Sequence, residues 1–261
     1  MDLKLIIGVV IVVIILYIIW SYFFTSMQVL MSFQDAAVSK SVALTSIDSS
    51  KSNYSFSTWT YINDWGTNYG KRKNILVIPD GVGSFYYFAL YFSESTNDLQ
   101  IYVRTQSSTS TSDSYLASTS TAAGYFTTTC NVTNFPLQTW VNISISVYNR
   151  AVDIYMDGKL VRTCSLANVA SPIGSGSTIY IGGSGSNGNG NKCPGGETLV
   201  GFAGYIASVL YNPDIISPQD AWNTYARGYN NSAFGLNNLF QRYKLEFSFL
   251  KDNNVIKSFK I

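Results

Sequence analysis

The chain opens on an uncharged apolar run, LIIGVVIVVIILYIIWSYFF (residues 5–24), and turns polar and aromatic after it. About 20 apolar residues at ~1.5 Å each span ~30 Å, the hydrocarbon thickness of a bilayer. Leu5 and Ile14 lie within that run, while Trp20 and Tyr22 stand at one end, where amphipathic rings favour the membrane–water boundary. A cleaved secretory signal has a shorter apolar core and a small-residue cleavage site, and no A-x-A-like pattern follows here. The expectation is an uncleaved transmembrane anchor over residues 1–24. Lys4 and the terminal amine, partly offset by Asp2, precede the run, and no Lys or Arg follows until Lys40. That asymmetry puts the N-terminus inside and the C-terminal domain on the exterior or lumenal side.

Residues 25–52 read as a polar stalk, partly helical. Strand-like runs then follow at 54–62, 74–78, 84–92, 98–105, 139–148, 151–157, 159–164, 177–183 and 200–211. Alternation is plain in TWVNISISVY: Val141, Ile143, Ile145 and Val147 share one face, and Asn142, Ser144 and Ser146 the other. The apolar set must face the core, which leaves Asn142 on the opposite side. Asn149-Arg150 and Asp157-Gly158 mark two tight turns, so residues 139–164 predict a three-stranded antiparallel meander. Residues 105–129, rich in Ser and Thr, and 183–196, rich in Gly, Ser and Asn, read as exposed loops. One helix is predicted, capped by Ser217-Pro218 and stopped at Gly228. A final hairpin spans 243–261. Many antiparallel strands with one short helix predict an all-β two-sheet sandwich over 53–230, with 231–261 as a hairpin extension packed on it.

The chain contains no histidine, which excludes Ser-His-Asp and Cys-His catalysis. Its net charge of +2 gives no broad electrostatic case for nucleic acid. Cys130, Cys164 and Cys193 lack the close pairing of a zinc site. Asn53, Asn131, Asn142 and Asn230 each begin a glycosylation acceptor triplet. Trp59 and Trp140, near strand starts, read as core or sheet-edge packing, and Gly201 and Gly204 as points of close backbone approach.

The strings FPLQTWVNISISVYNRAVDIYMDGKLVRTC, STIYIGG and GFAGYIASVLYNPDIISPQDAWNTYARGY, with FSTWTYINDW upstream, follow one another in order. Over residues 54–228 they resemble the laminin-G-like branch of the concanavalin A-like lectin/glucanase superfamily. That resemblance implies an antiparallel jelly-roll sandwich. An N-terminal anchor followed by such a domain is also similar to virion-membrane or minor capsid proteins of large nucleocytoplasmic DNA viruses. The same resemblance, and their place at either end of the meander, favour a Cys130–Cys164 bridge, with Cys164–Cys193 as the alternative.

Glucanases of the superfamily carry clustered acidic residues, and retaining hydrolysis needs two carboxyl groups ~5 Å apart. Glu94, Glu197 and Glu246 are the only glutamates, scattered singly, and Asp157 belongs to its turn with Gly158. No enzyme is expected. Some laminin-G-like domains hold Ca²⁺, but Asp64, Asp80 and Asp113 show no binding-loop spacing, so no cofactor is expected. The leading expectation is a non-enzymatic structural component of a virus particle, anchored in the virion membrane and contacting neighbouring capsid or membrane proteins. The alternative is a membrane-displayed lectin whose rim aromatics, Trp65, Tyr86 and Tyr87, sit beside the Asn/Gly loop at 187–192.

Overall fold

A computed structural model of the protein describes residues 12–17, 27–45, 47–79, 86–106, 126–184, 199–229, 246–251 and 254–260. Two six-stranded sheets hold β1 (Gln28–Asp35), β2 (Lys40–Ala43), β3 (Tyr54–Asp64), β4 (Lys73–Pro79), β5 (Tyr86–Phe92), β6 (Leu99–Thr105), β7 (Phe126–Val132), β8 (Trp140–Tyr148), β9 (Ala151–Met156), β10 (Lys159–Ser165), β11 (Thr178–Ile181) and β12 (Ala203–Asn212). The first sheet runs β1-β12-β3-β8-β9-β10 and the second β2-β11-β4-β5-β6-β7. Every pair of neighbouring strands in both sheets is antiparallel.

Inward residues of the two sheets meet in one apolar core. Phe56 of the first sheet and Phe88 of the second lie 4.9 Å apart between ring centroids, with Tyr54 and Tyr211 beside Phe56 at 5.9 and 5.3 Å. Burial of such rings is the main stabilising term of a sandwich. It also sets an alkaline limit. Burial pushes the phenol of Tyr54, whose hydroxyl has no partner, far above its usual range, and pushes Tyr211 up to about 12. Both groups are therefore held neutral in the fold, and their contribution is complete below the ordinary value of 10.0. Stability should fall between pH 10 and 12 by up to ~1.4 kcal/mol per pH unit for each tyrosine. Denaturant midpoints at pH 9 and pH 11.5 measure this, and equal midpoints would refute it.

The N-terminal part differs from the reading of residues 25–52 as a stalk. β1 pairs with β12 at the edge of the first sheet, and β2 pairs with β11 at the edge of the second. The supposed stalk closes one side of the sandwich, because its apolar positions (Leu30, Met31, Leu44) find places in the core. The other side is closed by a disulfide: Cys130 on β7 bonds Cys164 on β10, with Cα atoms 6.1 Å apart. Arg162 also donates to the Asn131 carbonyl across that seam. Covering two edge strands removes templates for unwanted strand pairing. Residues 126–129, placed at the end of the Ser/Thr-rich loop 105–129, instead begin β7, which pairs with β6.

β8, β9 and β10 make the predicted meander, and Asp157 and Gly158 both take positive φ in the tight turn between β9 and β10. The helix α1 (Pro218–Arg227) is capped by a reciprocal box, the Ser217 hydroxyl accepting from Asp220 N and the Asp220 carboxylate accepting from Ser217 N. It lies on the outer face of the first sheet, with Tyr225 stacked on Trp59 at 5.6 Å. Gly158 lets it come close, since a Cβ there would sit 3.0 Å from Trp222 Cα. β13 (Glu246–Lys251) and β14 (Asn254–Lys260) pair as a separate two-stranded sheet, the C-terminal hairpin expected from sequence.

Residues 12–17 are helical and their apolar side chains are exposed. Among the described residues no helix is long and apolar enough to cross a membrane. Leu5, Trp20 and Tyr22 of the expected anchor lie outside the described residues, and only Ile14 of the four lies within them.

Candidate functional site

Register across the first sheet decides which side chains meet on its outer face. Tyr205 on β12 pairs with Tyr61 on β3, and Tyr61 pairs with Trp140 on β8. Odd-numbered residues of β3 and even-numbered residues of β8 point outward, so this row puts three aromatic rings on one surface. Tyr61 and Trp140 lie 5.5 Å apart, and Tyr61 and Tyr205 6.3 Å. Phe33 of β1 joins them, 5.4 Å from Tyr205 and 6.3 Å from Trp140. Tyr229, just past the helix cap, stacks almost parallel on Trp140 at 4.6 Å. Phe33 is 55% exposed, Tyr205 42% and Tyr229 43%, with Trp140 and Tyr61 half-buried between them. A compact, solvent-facing aromatic patch results.

A cleft of about 320 Å³ adjoins the patch at Tyr205 and is lined also by Asp35, Asn63, Asn68 and Gly201. Asp35 pairs with Tyr205 across β1 and β12, and its carboxylate accepts from Ala37 N at 2.8 Å. Asn68, at φ 56°, donates to the Gly201 carbonyl at 2.8 Å. Gly204 is what allows the β3–β12 approach beneath the patch, because a Cβ there would fall 2.1 Å from the Tyr61 carbonyl oxygen. Gly201 meets the β1–β2 corner similarly, 2.7 Å from Ala37 Cα. The close approaches assigned to these two glycines are thus to β3 and to the supposed stalk.

The aromatics singled out from sequence do not come together. Tyr86 is fully buried in a second apolar cluster. Its strand carries rings on both faces, and the sequence does not reveal that Tyr86 clusters with Tyr91, Tyr102 and Leu199. Tyr87 is half-buried beneath the Arg104 guanidinium. Trp65 packs edge-on against Phe92, five residues further along β5 than Tyr87, roughly 17 Å away along a strand. One face of Trp65 is taken by Lys73, whose ammonium sits 4.2 Å from the ring and donates to the Asn68 carbonyl. Burial lowers the pKa of that lysine, with the Asp64 charge opposing. Residues 187–192 lie outside the described residues.

Trp65 does line a hollow of about 660 Å³ at the rim, with Thr96, Asn97, Asp98, Asn134 and Leu137. Its polar groups are engaged with one another: Asp98 accepts from Thr96 and from Asn134 N, while Asn97 donates to the Phe135 carbonyl. Such mutual engagement holds loops together. The outer-face patch, by contrast, presents ring surface to solvent. Sequence reasoning assigned Trp140 to packing, and the signal that would have found it was the strand register.

Asp64 accepts from Gly66 N, Thr67 N and the Thr67 hydroxyl, which holds its carboxyl below the usual range, the hydroxyl contributing most. It forms a turn. Asp80 and Asp113 lie outside the described residues, and among the described residues no three His, Cys, Asp or Glu side chains gather to hold a metal.

The acceptor sites separate sharply. Asn142 is fully buried, donating through Nδ2 to the Ser57 hydroxyl and accepting at Oδ1 from Ser144. The polar face of β8 opposite the core is itself buried, together with that of β3 beside it. Ser55 donates to the Asp214 carbonyl and Ser146 accepts from Ile216 N, so these hydroxyls hold the segment leading into α1. Asn53 and Asn131 are half-buried, and Asn230 and Cys193 lie outside the described residues.

No family model matches the chain, and no curated protein matches it. Among solved structures it is similar to the ligand-binding domain of botulinum neurotoxin serotype D in complex with N-acetylneuraminic acid, at 13% identity and a TM-score of 0.49. It is similar to the binding domain of botulinum neurotoxin DC in complex with SialylT at the same two values. The serotype G binding domain follows at 11% identity and a TM-score of 0.48. In each case 77% of this chain is covered and 46% of the other. The chain therefore spans less than half of those chains, and likeness this remote carries no argument about its function.

Proposed function

We propose that the protein is a non-enzymatic recognition module that binds carbohydrate on the outer face of its first sheet. The observation that carries this is the Phe33–Tyr205–Tyr61–Trp140 patch, exposed at Phe33 and Tyr205, beside a polar cleft. Sugar rings offer C–H faces that pack on aromatic faces, and their hydroxyls need amide and carboxylate partners within reach. Patch and cleft supply the two side by side. The non-enzymatic part is supported by the carboxylates: Glu94 is paired with Arg72 at 3.0 Å, and Asp153 accepts from Thr163.

The wider setting is part of the same proposal. Residues 1–24 anchor the chain, with the exposed apolar side chains of residues 12–17 suited to lipid. The laminin-G-like order of elements in the sequence supports a jelly-roll sandwich displayed on the exterior of a virion membrane. A structural role, in which the patch holds a neighbouring capsid or membrane protein, competes with sugar binding for the same rings.

A glycan array probed with the full chain in a sugar-free detergent decides between them. Specific binding is expected, weakened at least about thirtyfold by Trp140→Ala or Tyr205→Ala, the cost of removing a central aromatic anchor. Leu137→Ser in the rim hollow should leave it unchanged. Silence across the array, with cross-linking of particle proteins through Tyr205, would replace the sugar by a protein partner.

A further inference from the structure

Resting on the carbohydrate reading, we infer that the ligand is a short, uncharged sugar, one or two rings long, held by hydroxyl contacts to Asp35. Two features point to its length. Its volume of about 320 Å³ is at the small end for ligand sites and suits a short saccharide. The patch is equally compact, the contacting ring pairs among Phe33, Tyr205, Tyr61 and Trp140 lying 5.4–6.5 Å apart, which gives stacking area for about one pyranose.

Charge sets the rest. Among the described residues the cleft lining holds one carboxylate, Asp35, and neither lysine nor arginine. Sugar hydroxyls donate well to a carboxylate, and such bonds are stronger than neutral ones. A sialic acid carboxylate or a sulfate would meet no cation there and would face Asp35. The amide groups of Asn63 and Asn68 line the same cleft and offer both donors and acceptors. Asp35 stands on the edge strand β1, exposed, so its side chain can be changed without opening the core.

Calorimetric titration of the full chain in sugar-free zwitterionic detergent tests this, using the neutral sugar selected on an array as its methyl glycoside, disaccharide and hexasaccharide. Sialyllactose and a sulfated disaccharide serve as acidic probes. Lengthening from two rings to six should change Kd less than about threefold, and the acidic sugars should bind at least about tenfold more weakly. Asp35→Asn should weaken the neutral sugar about tenfold and shrink its preference over the acidic ones. Affinity that climbs steadily to six rings, or acidic sugars binding as well as neutral ones, would overturn the ligand class while leaving carbohydrate binding intact. An array on which nothing binds would remove both.

Discussion

Chain routed through a eukaryotic secretory pathway should yield folded protein carrying no glycan at Asn142, with any Asn142-glycosylated molecules confined to the misfolded fraction. The triplet Asn142-Ile143-Ser144 is a valid acceptor by sequence. In the fold the Asn142 side chain has no exposed surface, its Nδ2 is used on Ser57, and its backbone N–H donates to Asp157 at 2.9 Å. A sugar on Nδ2 would have to replace the layer between β8 and α1, so the effect is close to all or none. Ser144→Ala abolishes the acceptor and should raise folded yield in that pathway. It loses the hydroxyl contacts to Ser57 and Asn142, at a cost of roughly 1–2 kcal/mol. Peptide mapping of folded and aggregated fractions measures occupancy. Folded protein bearing a glycan at Asn142 would contradict the placement of α1.

The second large effect concerns the seam between the two sheets. Replacing both Cys130 and Cys164 by serine should cost about 4 kcal/mol, the chain-entropy expectation for a bridge closing a segment of this length. For a domain of this size that corresponds to a melting midpoint lower by roughly 10 °C. The bridge joins β7 at the edge of one sheet to β10 at the edge of the other, so its loss also opens two strand edges. Aggregation on heating should therefore rise together with the drop in midpoint. A reductant should reproduce the shift in the native chain and leave the double variant unmoved. An unchanged midpoint in the variant would show that Arg162 and the core hold the seam without the bond.

Elements governed by local chemistry were legible in the sequence. Alternation placed β8, Asp157-Gly158 placed its turn, and Ser217-Pro218 placed the start of α1 within the residues that cap it. What escaped depended on partners far along the chain. Residues 28–43 look like a connector because their apolar residues are scattered among Ser and Gln without clean alternation, and only pairing with β12 and β11 makes Gln28–Asp35 and Lys40–Ala43 strands. The Thr-rich segment 126–132 carries a β-branched composition that suits a strand, yet its setting in a Ser/Thr tract hid it. Alternation put Asn142, Ser144 and Ser146 on the face of β8 away from the core, and it could not show that the segment before α1 covers that face and bonds Ser146 of β8 and Ser55 of β3. The candidate site escaped for the same reason. Phe33, Tyr61, Trp140 and Tyr205 come from four strands spread over more than 170 positions, and no spacing in the chain announces that their registers align.

Resonances of the indole N–H groups offer the most direct test of where the ligand sits, because the chain has five tryptophans in different settings. In titration with the sugar that binds best, the Trp140 signal should move saturably and the Trp65 signal should stay. Movement of Trp65 with Trp140 unchanged, or no movement at any concentration, would contradict binding on the outer face of the first sheet.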